Sequence, residues 1–261
     1  MMNIVIAFLT QILYTLGGLL LFGFLIALCN KLFYRNMGVL GNAACYITGF
    51  IGTPVHECSH ALFCVIFRHK INEIKLFQIS SSDGTLGYVS HSYNEKNIYQ
   101  RIGNFFIGVA PILVISTLLF LLTHLLVPNV AITISNGAQG LASNGIAALP
   151  SFFLNLGSTF LSCIGTWQFW CFLLLGIFLA LHMTLSDADI KGAKEGLLLL
   201  SIALLVVDVL LGIISTSALS AFTAVLLLLA SYVNAFLLFG LIISLLAVTV
   251  SLIIRRIAKR F

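Results

Sequence analysis

The sequence predicts an all-α polytopic membrane protein of about six transmembrane helices, with a small cytoplasmic-side β-hairpin between the second and third. Three observations carry this reading. Of 261 residues, 60% are hydrophobic and only 8% charged, with a mean hydropathy of +1.12, where ordinary globular chains carry about 25% charged residues. Apolar runs of about 20 residues, the length that crosses a hydrocarbon core, recur along the whole chain instead of once at its start. The longest polar stretch, 68–101, has the composition of a hairpin.

Taken in order, the first run, 4–28, is expected to stay as an anchor, because a cleaved leader would be followed by a soluble chain. Further spans are expected at 42–67, 102–126, 167–185, 197–215 and 222–254, the last long enough to tilt. Within 68–101, segments 71–79 and 85–93 are rich in strand formers and flank Asp83-Gly84, a two-residue turn signal. The stretch 128–166 contains no Asp, Glu, Lys or Arg and is rich in Gly, Ser, Asn and Ala; a loop, an interfacial helix and a re-entrant piece all satisfy that composition. No internal repeat divides the chain, which is expected to form one integral membrane domain over 1–261, with a core at about 38–196 and a C-terminal helix pair at about 197–261. The cysteines Cys29, Cys45, Cys58, Cys64, Cys163 and Cys171 lie in or beside apolar runs and suit packing better than a disulfide framework.

Orientation follows from the basic residues. With the N-terminus cytoplasmic, Arg68, Lys70, Lys75, Lys96, Arg101, Lys191, Lys194, Arg255, Arg256, Lys259 and Arg260 fall on the cytoplasmic side, and only Lys31 and Arg35 fall outside. Both termini are therefore expected in the cytoplasm, and the compact form without a targeting sequence points to a bacterial plasma membrane. Basic residues flanking spans anchor to the lipid bilayer, which accounts for the net charge of +5 without nucleic acid as a partner. The sequence does not indicate an oligomeric state.

Chemistry enters at residues 56–60, which read His-Glu-Cys-Ser-His inside the apolar run 38–67. Two imidazoles and a carboxylate are costly in hydrocarbon, so their presence marks a functional site. His56 and His60 are one helical turn apart and present both rings to one side, as a tetrahedral Zn2+ requires. Glu57 then stands beside the first ligand as general base for the attacking water. Seven residues from His60 to residue 67 place the ion roughly 10 Å below the membrane surface, within reach of water through a modest cleft.

A third ligand is needed, and the chain has only four Asp and four Glu. Glu73, Asp83 and Glu95 belong to the hairpin region and Asp208 lies deep in the fifth expected span. Asp187 and Asp189 sit at the expected cytoplasmic end of the fourth span, on the same side as the end of the HExxH helix. A histidine pair on a transmembrane helix, followed by an aspartate near the cytoplasmic end of a later span, resembles the site-2 protease family of intramembrane zinc metalloproteases. The resemblance covers about 52–192, including Gly103, Asn104, Gly108 and Pro111 in the helix between the two ligand helices. It implies His56, His60 and Asp189 as metal ligands, Zn2+ as cofactor, and a transmembrane or membrane-associated peptide as substrate. It also implies that the hairpin holds an extended substrate by strand addition. Residues 186–192 read Ser-Asp-Ala-Asp-Ile-Lys-Gly and lack the family's Asp-Gly pair, so Asp187 stays open as the alternative third ligand. No PDZ-like insertion is present, as in the compact forms of that family.

Two other readings use the same residues. A CAAX-type membrane zinc protease would draw a ligand from a downstream Glu, for which only Glu195 is suitably placed. A metal transporter or sensor would bind an exchangeable ion at His56, Glu57 and His60 and would make use of deep acids such as Asp208. His124 and His182 read as hydrogen-bonded packing groups within spans.

Overall fold

In the computed structural model, which describes residues 2–79 and 84–258, the described residues are mostly helical, with one two-stranded sheet. The first long helix comprises α1 (Met2–Ile12), a π-helical turn (Leu13–Gly17) and α2 (Gly18–Met37). The π turn has an identifiable cause: Asn234 donates Nδ2–H to the Tyr14 carbonyl at 2.9 Å, satisfying a backbone group that the wider turn releases. Gly38, at φ +57°, ends α2 and lets the chain reverse through a 3-10 turn into α3 (Gly41–Ile66). Strands β1 (Lys70–Lys75) and β2 (Tyr88–Ser92) pair antiparallel, Lys70 opposite Ser92 and Lys75 opposite Tyr88, with an irregularity between Ile71 and Glu73. The hairpin expected from the composition is thus present, although Asp83 of its expected turn lies outside the described residues. Pairing continues beyond the strands, since Gln78 N–H reaches the Leu86 carbonyl at 2.7 Å.

Asn97 caps α4 (Ile98–Leu126) by accepting the amides of Tyr99 and Gln100. This helix is the centre of the bundle: Ile107, Val109, Ala110, Ile112, Ile115 and Leu119 are all buried. The charge-free stretch after it forms two helices, α5 (Pro128–Asn144) and α6 (Leu149–Cys163), each with a proline in its first turn. α7 (Trp167–Ala180) is short, and α8 (Asp187–Ile214) and α9 (Thr216–Ala258) complete the chain. Five stretches, 3–66, 98–126, 128–163, 187–214 and 216–258, are long and apolar enough to cross a membrane.

One expectation needs correction. The segment 186–196, expected between the fourth and fifth spans, opens α8, and its Ala193 and Gly196 pack against α4. A Cβ on Gly196 would meet the Arg101 and Ile102 carbonyls at 2.8 and 2.9 Å, so this close helix contact requires glycine. α2 and α9 run in the same direction, with Asn234 bonded to Tyr14 near one end and Ser251 and Arg255 bonded to Asn36 near the other. The two ends of the described chain lie at opposite ends of the bundle. Arg255 and Arg256 consequently join Arg35 at the end away from the hairpin, while Arg68, Lys70, Lys75, Lys96, Arg101, Lys191 and Lys194 remain at the hairpin end.

Candidate metal centre

α3 carries His56 and His60 on the face turned toward α4 and the start of α8. Each ring is fixed by its Nδ1 atom. His56 Nδ1 lies 2.8 Å from the His182 carbonyl, just beyond α7, and His60 Nδ1 lies 2.8 Å from the Ile107 carbonyl in α4. A carbonyl only accepts, so both Nδ1 atoms donate and both Nε2 atoms turn their lone pairs inward. Those atoms approach to 3.2 Å, and His60 Nε2 lies 3.3 Å from Asp189 Oδ1. One donor atom each from His56, His60 and Asp189 falls within 4.8 Å of the others. Two lone pairs and a carboxylate brought together this way repel unless a cation or a proton lies among them. Two imidazole nitrogens and a carboxylate oxygen are a donor set suited to Zn2+, and the carbonyl contacts behind them supply the orientation such ligands need.

Asp189 is held by local sequence as well as by packing. Ser186 caps α8, its hydroxyl accepting Asp189 N–H at 3.1 Å while Asp189 Oδ2 accepts Ser186 N–H at 2.7 Å. One carboxylate oxygen is thereby spent on the helix start and the other faces the histidines. Asp187, two residues earlier in the same turn, is exposed and outside the cluster. Sequence reasoning passed over Ser186, although Ser-x-x-Asp before an apolar run is a recognisable capping signal.

Glu57 is 6% exposed and lines the same cleft of about 410 Å³ as His56, His60 and Asp189, together with Asn104 from α4 and Tyr88 and His91 from β2. Gly87, which precedes β2, lies against Glu57. A Cβ there would stand 2.9 Å from Glu57 Cγ and 2.8 Å from the Lys75 carbonyl, so the sheet can close over the acid only with glycine at this position. His69 and His91 bring their Nδ1 atoms to 3.1 Å, and His69 Nε2 meets the Gln100 carbonyl at 2.8 Å. Burial pushes the His69 imidazole below the usual histidine range, and burial followed by the neighbouring His69 ring does the same for His91.

The remaining candidates lie elsewhere. Glu195 accepts from Arg101 Nε at 2.9 Å and from the Tyr93 hydroxyl at 3.1 Å, outside the cluster. Asp208 is fully buried and accepts Gln11 Nε2–H at 3.0 Å, while Gln11 also donates to Thr223 at 2.8 Å. The His182 ring contacts Thr48 and Thr53, and His124 is exposed beside Phe120.

Residues 49–143, from α3 with its HExxH motif through the hairpin and α4 into α5, match a family model described as "Putative zincin peptidase". No curated protein and no solved structure matches the chain. The match supports a zinc metallopeptidase and does not extend to Asp189.

Proposed function

We propose that the protein is a membrane-embedded zinc endopeptidase of the site-2 protease kind. It hydrolyses a peptide bond in or next to a transmembrane segment, at the hairpin end of the bundle. The observation that carries this reading is the convergence of His56, His60 and Asp189 in one cleft with Glu57, between helices apolar enough to cross a membrane. Seven basic residues at the hairpin end favour that end as cytoplasmic.

His56, His60 and Asp189 would hold the ion, which supplies polarisation of the scissile carbonyl and activation of the attacking water. Glu57 takes the proton from that water and returns it to the departing amine. The His182 and Ile107 carbonyls keep both Nε2 atoms unprotonated and aimed, and the Ser186 cap keeps one Asp189 oxygen turned inward. A substrate helix has all its amides bonded internally and must unwind before attack. In the two-stranded sheet, β2 has one edge that β1 does not occupy, and an unwound segment would pair there as a third strand beside the cleft.

The experiment is cleavage of a model transmembrane peptide by the zinc-loaded protein in liposomes. Wild type should cut it and lose activity on chelation, and Glu57→Gln should be slower by about two to four orders of magnitude while keeping its zinc. Equal cutting by wild type and Glu57→Gln would reject the assignment.

A further inference from the structure

His91 is a third imidazole in the cleft, and neither the metal nor the general base accounts for it. It stands on β2 and lines the cleft with His60 and Asp189, yet lies outside the group of converging donor atoms. Its tautomer can be worked out from its neighbours. The Gln100 carbonyl can only accept, so His69 Nε2 carries a hydrogen and a neutral His69 has a bare Nδ1. That bare nitrogen faces His91 Nδ1 at 3.1 Å, so His91 Nδ1 carries the hydrogen and its Nε2 is the bare one. Nothing in the chain of contacts is loose. Gln100 sits in the first turn of α4 with its side chain bonded to Arg68 O and Asn94 N, and Tyr93 stacks on His69 with ring centroids 5.0 Å apart. Burial favours the neutral form of both rings. His91 Nε2 makes no hydrogen bond to any described residue.

We infer that His91 Nε2 accepts the backbone N–H of the scissile amide, with His69 as the positioning residue that fixes its tautomer. This rests on the peptidase reading. A trans amide directs its C=O and N–H to opposite sides. With the carbonyl turned toward His56, His60 and Asp189, the N–H turns toward the sheet, where a bare imidazole nitrogen is a matched partner. The bond orients the nitrogen without moving a proton. A specificity follows: the residue after the cut must have an N–H, so proline or an N-methylated residue there is disfavoured.

The test uses two peptides and the full-length zinc-loaded protein. The cut in a model transmembrane peptide is located by mass spectrometry, and a second peptide carries one N-methyl group on the residue after that cut. Wild type should lose about tenfold in kcat/KM on N-methylation, the scale of one neutral hydrogen bond. His91→Ala, at unchanged zinc content, should cut the parent peptide about tenfold more slowly and separate the two peptides less than twofold, because the contact is already gone. His91→Gln, with an amide oxygen near the same place, should recover part of the discrimination. Undiminished discrimination by His91→Ala would overturn the inference and leave the peptidase intact, whereas a zinc-loaded wild type that cuts neither peptide would overturn both. A readout without substrate is the 15N shift pattern of His91 in the Glu57→Gln protein, which should show a protonated Nδ1 and a bare Nε2; the opposite tautomer would also overturn the inference.

Discussion

Two aspartates lie among the apolar helices of this protein, one half-buried and one fully buried, and they have opposite surroundings. Asp189 opens α8, spends one oxygen on its own helix cap and turns the other toward two imidazoles in a cleft. Asp208, 19 residues further along the same helix, is fully buried and meets a single amide donor from Gln11 on α1, which Thr223 on α9 shares. Both placements are costly in hydrocarbon. The comparison shows that cost alone does not identify a reactive site. At Asp189 several donor atoms converge with nothing of the protein's own to neutralise them, and a cleft reaches them. At Asp208 hydrogen bonds tie three helices together, and the residue lines none of the cleft. The first arrangement suits an ion and a substrate, and the second suits interhelical packing.

The largest effect that would sharpen this contrast is at the histidines. His60→Ala should abolish zinc binding and cleavage together, while Asp208→Asn should leave both within about twofold of wild type, since an amide still accepts from Gln11. Comparable zinc loss in the two variants would collapse the distinction. Next comes Gly87→Val, which forces a branched side chain against Glu57 and the Lys75 carbonyl; cleavage should fall at least tenfold while zinc is kept, with a stability cost of about 1–3 kcal/mol. Smaller again is Ser186→Ala. Loss of the cap should cost about 1 kcal/mol by denaturation and weaken zinc binding about 10-fold in competition with a chelator. The smallest effect concerns pH. His69 and His91 have depressed folded-state values, so their neutral forms contribute stability that is complete above the unfolded value of 6.5 and is lost as pH falls toward the folded values. Hydrogen exchange of 70–75 and 88–92, followed in metal-free His56→Ala and corrected for intrinsic rates, should quicken between pH 7.5 and 5.5.

Much of this was legible in the sequence, for reasons that differ by element. The HExxH spacing and the apolar runs encode helix and face directly, because both depend on local periodicity. The strand segments were visible from composition, but the bounds of β1 and β2 depend on a register that the irregularity near Glu73 shifts. What escaped was long range. That 186–196 opens a helix instead of only joining two spans rests on the packing of Ala193 and Gly196 against α4, which no local pattern reports. The structure sets Asp189 apart from Asp187 through the Ser186 cap, which orients one carboxylate and leaves the other exposed. His91 passed unnoticed because its interest lies in His69 and Gln100, which are 22 and 9 residues away in sequence.

The central claim is that His56, His60 and Asp189 form one zinc site. Elemental analysis of detergent-purified protein, prepared without chelators and reloaded with zinc, tests it most directly. About one zinc per chain in wild type and in Asp187→Ala, and none in His56→Ala or Asp189→Ala, is the expected result. Zinc retained in Asp189→Ala but lost in Asp187→Ala, or no zinc in wild type at all, would contradict it.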